Sequence, residues 1–246
     1  MSRSPVVIED INLSDAWLRT LKYIVENSGK EIAPLLLTLT NFEESADMKE
    51  ILNAHLKTHK MASVETVSET IFPESLYQFF KRNRVDLYNQ YFENLPRLKK
   101  IDISNRHGTY FERLIAYEGS NSKINQLELI ISSLNLNNIK RRSKLQASIF
   151  DPERDHTMGM FQGFPCLQHV TFYKSKEGGL VLNGFYALQF LYRRAYGNWL
   201  GLINLGKFIA SEAGLKFERL NCYIGVEYLD ELKKEDAKDL LQILEK

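Results

Sequence analysis

Apolar residues recur at helical spacing from Trp17 through Leu18, Leu21, Ile24 and Val25, which predicts an amphipathic helix. Asn12-Leu-Ser-Asp15 supplies its start signal and Asn27-Ser-Gly29 its stop. The apolar run Leu35 to Leu39, with turn-like flanks, reads as a short buried strand. Met48 to Leu56 reads as a helix. Thr70 to Pro73 is extended, because the residue before proline disfavours the helical region. Glu74 to Tyr91 reads as one helix anchored by Leu76, Phe79, Phe80, Leu87 and Tyr91.

Asn105 to Thr109 is a polar loop, and Ile124 to Leu136 an amphipathic helix with Leu127, Ile130, Ile131 and Leu134 on one face. Lys144 to Phe150 alternates like a strand. Leu167 to Tyr173 and Leu180 to Tyr192 are strands around the hairpin Ser175 to Gly179. Trp199 to Glu212 is a helix closed by Gly214. Asn221 to Glu227 is a last strand, and Glu231 to Leu244 a charged terminal helix. Consecutive strands with helices interspersed, but not strictly alternating, predict an α+β fold and not a doubly wound sheet. No internal repeat or low-complexity linker divides the chain, so residues 1–246 are read as a single domain.

Composition narrows the partners. Hydrophobic content is 44% and charged content 26%, ordinary for a soluble globular protein. The 32 basic and 31 acidic residues give a formal charge of +1, so no general polyanion-binding surface is implied and nucleic acid is not an expected partner. Two cysteines, Cys166 and Cys222, make no disulfide framework and no Cys-x-x-Cys pair; a reducing compartment fits. The N-terminus lacks an apolar signal core, and the longest apolar stretches are too short to span a bilayer. The expectation is a cytoplasmic protein with no membrane partner. The five histidines are scattered, and no metal is expected.

The chemistry concentrates around Pro165-Cys166. Upstream lies Lys140-Arg141-Arg142-Ser143; downstream lie Leu191-Tyr192-Arg193-Arg194 and then Leu202-Ile203-Asn204. A thiol, several guanidinium groups and a carboxamide suit a phosphorylated, amide-bearing ring held against a nucleophile. A free cysteine is ordinarily a small buried hydrophobe, and Cys222 is read that way. Cys166 follows proline in a cationic setting, which favours the nucleophilic thiolate. Arg193 and Arg194 end the apolar run Gly184 to Tyr192. Strand neighbours point to opposite faces, so one of the two should turn inward, where a phosphate can take its fork.

From about His107 to Asp230 this order and spacing resembles the thymidylate synthase family, which includes the pyrimidine-nucleotide hydroxymethylases. The resemblance implies a mixed β-sheet flanked by helices and a two-fold dimer through that sheet. It implies that Cys166 adds to C6 of a pyrimidine nucleotide and that C5 takes a one-carbon unit from 5,10-methylenetetrahydrofolate. Arg193 would hold the phosphate, with Arg141 and Arg142 reaching in from across the dimer; Arg194 stands where the family has a serine that also touches phosphate. Asn204, in Ile203-Asn-Leu-Gly-Lys-Phe208, answers the family segment Phe-Asn-Ile-Ala-Ser-Tyr. Its carboxamide suits N3–H and O4 of uracil, whereas members acting on cytosine tend to carry aspartate, so uridylate is favoured; alternatively Asn204 is only a helix cap. His107-Gly108 stands where the family has Tyr-Gly, whose tyrosine assists proton movement at C5. A histidine can do comparable work or be an ordinary loop residue. Ile224 to Asp230 matches the family's sugar-binding Gly-Asp-x-His-x-Tyr at Gly225 only; Tyr228 and Asp230 fall at its histidine and tyrosine, an altered sugar contact.

Other positions depart from the family. Lys30 to Leu39 lacks the arginine of its N-terminal phosphate loop, and Glu65, Glu69 and Glu74 all compete for its proton-relay glutamate. Leu167 and Thr171 replace a histidine and a glutamine. The chain ends soon after the last strand, where the family continues and closes over the site. That ending gives weight to hydroxymethylation, which needs no dry site, or to nucleotide binding without turnover.

Overall fold

The computed structural model describes residues 4–101, 103–119, 122–136, 141–156, 158 and 165–245. The chain opens with β1 (Val6–Asn12), α1 (Leu13–Glu26), β2 (Glu31–Ile32) and β3 (Leu35–Glu43). Four helices follow: α2 (Ala46–Thr58), α3 (Val64–Glu69), α4 (Glu74–Phe79) and α5 (Arg84–Ile101). After a 3₁₀ turn (Ile103–His107) come α6 (Tyr110–Ile115), the small β4 (Tyr117–Glu118) and β5 (Lys123–Ile124) pair, and α7 (Gln126–Leu134). Then come β6 (Gln146–Ser148), α8 (Pro152–Asp155), β7 (Leu167–Lys174), β8 (Leu180–Phe190), a π-helical turn (Leu191–Ala195), α9 (Tyr196–Glu212), β9 (Phe217–Tyr228) and α10 (Lys234–Leu244).

The fold is α+β. One mixed seven-stranded sheet runs β1-β3-β9-β8-β7-β6, with β2 also paired to β9. β1 lies parallel to β3 and β8 parallel to β9; the other pairings are antiparallel. Alternation explains why one face is covered. Leu35, Leu37 and Leu39 of β3 are buried with Leu220, Cys222 and Ile224 of β9 beneath α1 and α9. The intervening residues form the opposite face. There Thr38 Oγ1 donates to Asn221 Oδ1 (3.1 Å), Asn221 Nδ2 to Asn183 Oδ1 (2.8 Å) and Asn183 Nδ2 to Thr171 Oγ1 (2.9 Å), a polar ladder across four strands. Beside it the half-exposed rings of Phe185 and Tyr223 stack 5.2 Å apart.

α1 starts where expected, its first amides capped by the Asn12 side chain at Ser14 and Asp15. The segment Glu74 to Tyr91, read as one helix, is two. Lys81 and Arg82 adopt positive φ, the Arg82 amide bonds back to the Tyr77 carbonyl, and Asn83 caps α5. Phe79, read as an anchor, is 77% exposed; Tyr77 is the residue that packs inward. β8 also stops earlier than its apolar pattern suggests. Arg193 and Arg194 therefore sit in the π-turn and not on opposite faces of a strand.

α9 is buried almost all round and runs against α3 at near backbone contact. A Cβ on Gly197 would stand 2.6 Å from Val67 Cβ, and one on Gly201 2.8 Å from the Ser68 carbonyl. Among the described residues, no helix is long and apolar enough to cross a membrane, and no cluster of three or more His, Cys, Asp or Glu could hold a metal ion.

Candidate active site

Where β7 begins, the C-terminal end of β8, the π-turn and the loop before α6 enclose a cleft of about 280 Å³. Pro165 and Cys166 form one wall, Arg193 and Arg194 another, and His107 with Gly108 a third. Single-turn π segments recur at functional sites because the extra residue turns side chains out of the ordinary helical register. This one places both arginines on the lining of the cleft that holds the thiol.

Cys166 is half-buried and packs against the hydrophobic core. Burial raises its thiol above the ordinary cysteine value; Arg194, and then Arg193, pull it down without cancelling that effect. The thiolate expected from a cationic setting is thus not the resting form, because desolvation of the charged sulfur outweighs two nearby guanidinium groups.

The two arginines differ. Arg193 Nε lies 2.7 Å from Asp230 Oδ2, its Nη1 3.8 Å from Glu231, and its guanidinium 4.4 Å above the Phe190 ring. Among the described residues neither Arg193 Nε nor Asp230 Oδ2 has a hydrogen-bond partner, so this contact is an ion pair held by charge and not by a well-aligned N–H. Asp230 is buried at positive φ; burial raises its carboxyl, with Arg193 partly offsetting. Arg194 makes no ion pair or hydrogen bond among the described residues.

Gly108 has φ +103, a conformation suited to glycine, and a Cβ there would press within 3.3 Å of Arg113 Nε. Arg113 is buried and donates through Nη2 to the His107 carbonyl (2.9 Å) and through Nη1 to the Ile149 carbonyl (2.8 Å). His107 Nε2 accepts from Arg106 Nε (2.8 Å), which leaves its ring proton on Nδ1. Tyr110, first residue of α6, lines the same cleft as Cys166, and burial raises its phenol.

Several cleft residues carry no family motif. Gln189 Oε1 accepts from Trp199 Nε1 (2.9 Å), fixing the amide, while its buried Nε2 has no partner among the described residues. Asn198, 4% exposed, also lines the cleft. Its signal was a polar residue in the apolar stretch Tyr196 to Ile203. Beside Gln189 across the β8–β9 pairing lies Glu227, fully buried, both carboxylate oxygens unpartnered among the described residues and its acid raised well above the ordinary value by desolvation.

Of the residues singled out from sequence, the fold brings together Cys166, His107, Arg193 and Arg194. Asn204 lies elsewhere: on the Gly197–Gly201 face of α9, its amide toward Ser68 Oγ of α3 (3.5 Å). Tyr228 pairs with Glu31 and Phe190 at the strand ends and does not line the cleft. Arg141 and Arg142 are exposed just before the edge strand β6 and do not line this cleft either.

No family model matches the sequence. Over 116 residues the chain is 31% identical to a Methanocaldococcus jannaschii protein described as a "putative thymidylate synthase". The match takes in 44% of this chain and 48% of that protein, so the chain spans about half the length of the curated relative it matches. The similarity is to the same family that the sequence motifs resemble.

Proposed function

We propose that this protein is a thymidylate synthase-like one-carbon transferase acting on C5 of a pyrimidine nucleotide, with uridylate favoured. The observation that carries the reading is the cleft itself: a cysteine faces an arginine pair in a space of about 280 Å³, near the lower end of small-molecule sites. That volume suits one nucleotide. In this reading an arginine of the cleft holds the phosphate and Cys166 Sγ adds to C6, which makes C5 nucleophilic. His107 Nδ1 stands ready for proton movement. When bound, methylenetetrahydrofolate would supply the one-carbon unit; the lining residues account for the nucleotide alone.

The same reading includes a two-fold dimer through the open sheet face, where Phe185, Tyr223 and the amide ladder are available to a second copy. Arg141 and Arg142, exposed beside the edge strand, then serve the neighbouring cleft. A second reading, nucleotide binding without turnover, draws on the raised Cys166 thiol and on Arg193 being engaged by Asp230.

Incubation with 5-fluoro-dUMP and methylenetetrahydrofolate, followed by intact and peptide mass spectrometry, tests both. A covalent adduct on Cys166, absent in Cys166→Ser, supports the transferase. Nucleotide-dependent thermal stabilisation without an adduct supports the second reading. Neither signal at millimolar nucleotide overturns both.

A further inference from the structure

Arg193 and Asn204 occupy the positions where the family resemblance puts phosphate and base recognition. In this fold both are already engaged. Asp230, Glu231 and the Phe190 ring surround Arg193. Asn204 turns toward Ser68 on a helix face that packs against α3. Drawing either into a ligand contact would strip a buried carboxylate of its counter-charge or pry apart a pair of helices that meet through glycines.

Their near neighbours are in the opposite condition. Arg194 lines the cleft with no ion pair among the described residues. Asn198 lines it too; no hydrogen bond engages its carboxamide among the described residues, and unlike the sealed Gln189 Nε2 its polar atoms are open to the cleft. A carboxamide that lines a cleft without a protein partner keeps its donor and acceptor available to a ligand. The two are four residues apart across the junction of the π-turn and α9, so they lie on neighbouring turns and face the same space.

We infer that Arg194 and Asn198, not Arg193 and Asn204, are the ligand-reading pair of this cleft: Arg194 takes a phosphomonoester and Asn198 the amide-like edge of the attached ring. The assignment rests on the nucleotide reading above and specifies its recognition chemistry. A guanidinium fork matches phosphate oxygens bidentately, and a carboxamide offers one donor and one acceptor to an imide edge. Arg193 becomes a clamp joining the π-turn to the end of β9 through Asp230.

Calorimetric titration of dUMP, UMP, dCMP, CMP and the matching nucleosides into wild type, R193Q, R194Q, R194K, N198D and N204D tests this. R194Q is expected to weaken nucleotide binding at least tenfold while leaving nucleoside binding unchanged, with R194K in between. R193Q lowers the melting temperature but keeps the nucleotide-to-nucleoside ratio. N198D shifts preference from uracil toward cytosine; N204D does not. A collapsed ratio in R193Q, or a base switch in N204D and not in N198D, overturns the inference while leaving the nucleotide reading intact. If wild type binds none of these ligands, the nucleotide reading falls and takes this assignment with it. A ligand-free arm separates the arginines independently: the pH profile of Cys166 alkylation should move further upward in R194Q than in R193Q, and the reverse order contradicts Arg194 as the stronger of the two influences on the thiol.

Discussion

Arg113 and Asp155 form a two-bonded ion pair, Nη1–Oδ2 at 2.5 Å and Nη2–Oδ1 at 2.8 Å, with both side chains almost completely out of water. They join α6 to α8 across 42 residues of sequence. Arg113 also holds the His107 carbonyl. The pair therefore fixes the wall of the cleft that carries His107.

Breaking this pair from one side leaves a buried, uncompensated charge. Arg113→Ala or Asp155→Ala is expected to cost about 3–5 kcal/mol in urea unfolding, whereas replacing both residues by apolar ones of similar volume costs much less. Burial pushes the Asp155 carboxyl up, but Arg113 and the Asp151 amide more than offset it and leave it below its ordinary value. Its contribution is present above the unfolded carboxylate value and lost as pH falls through the folded one. Asp155→Asn should accordingly flatten the acid limb of the stability profile.

Glu227 has the opposite sign. Its folded acid titrates well above the ordinary value because of desolvation, so the folded state binds the extra proton. Stability is fully present below about pH 4.3 and falls by about 1.4 kcal/mol per pH unit above it, until the folded group itself ionises. Glu227→Gln keeps the shape of the neutral acid and removes the titration. The variant should melt higher than wild type at pH 8, with the gap narrowing toward pH 5. An equal shift at both pH values would contradict an uncharged Glu227.

Cys166 should alkylate slowly with iodoacetamide at neutral pH, its rate still climbing beyond about pH 8.5, since burial keeps the sulfur protonated. Stopped-flow or mass-resolved alkylation with Cys222, fully buried and also raised, as internal control measures this. A saturating nucleotide that protects Cys166 alone would tie the thiol to the ligand.

The elements that were legible in the sequence are those with a local signature. Asn12 announced α1 through its cap, and Leu35, Leu37 and Leu39 announced β3 by their alternation. Cys166 and the arginine pair stood out because charge and sulfur at the end of an apolar run are unusual, and they do share one cleft. What was not legible depended on backbone register. The left-handed pair Lys81–Arg82 splits a helix whose apolar spacing continues without interruption. β1, with only Ile8 buried, owes its existence to parallel pairing with β3 and not to its own pattern. The π-turn adds a residue that no periodicity marks, and with it the choice between Arg193 and Arg194, and between Asn198 and Asn204, passes from motif spacing to geometry.

The proposed dimer gives the last prediction. Phe185 and Tyr223 stack in parallel on the polar-ladder face of the sheet, 40% and 42% exposed, beside an amide ladder whose members already hydrogen-bond one another. An isologous contact through this face repeats each residue on both copies, so Phe185→Glu would set two carboxylates against the same apolar surface. Light scattering should give twice 28.6 kDa for wild type and a single mass for Phe185→Glu. If Arg141 and Arg142 act across that interface, Cys166→Ser and the double variant Arg141→Gln/Arg142→Gln should each be inactive alone. Mixed and allowed to exchange subunits, they should regain about a quarter of wild-type trapping, since half the dimers are then mixed and each holds one intact cleft. A monomeric wild type would remove the dimer. A dimeric wild type with no recovery on mixing would keep the dimer and confine each cleft to the arginines of its own chain.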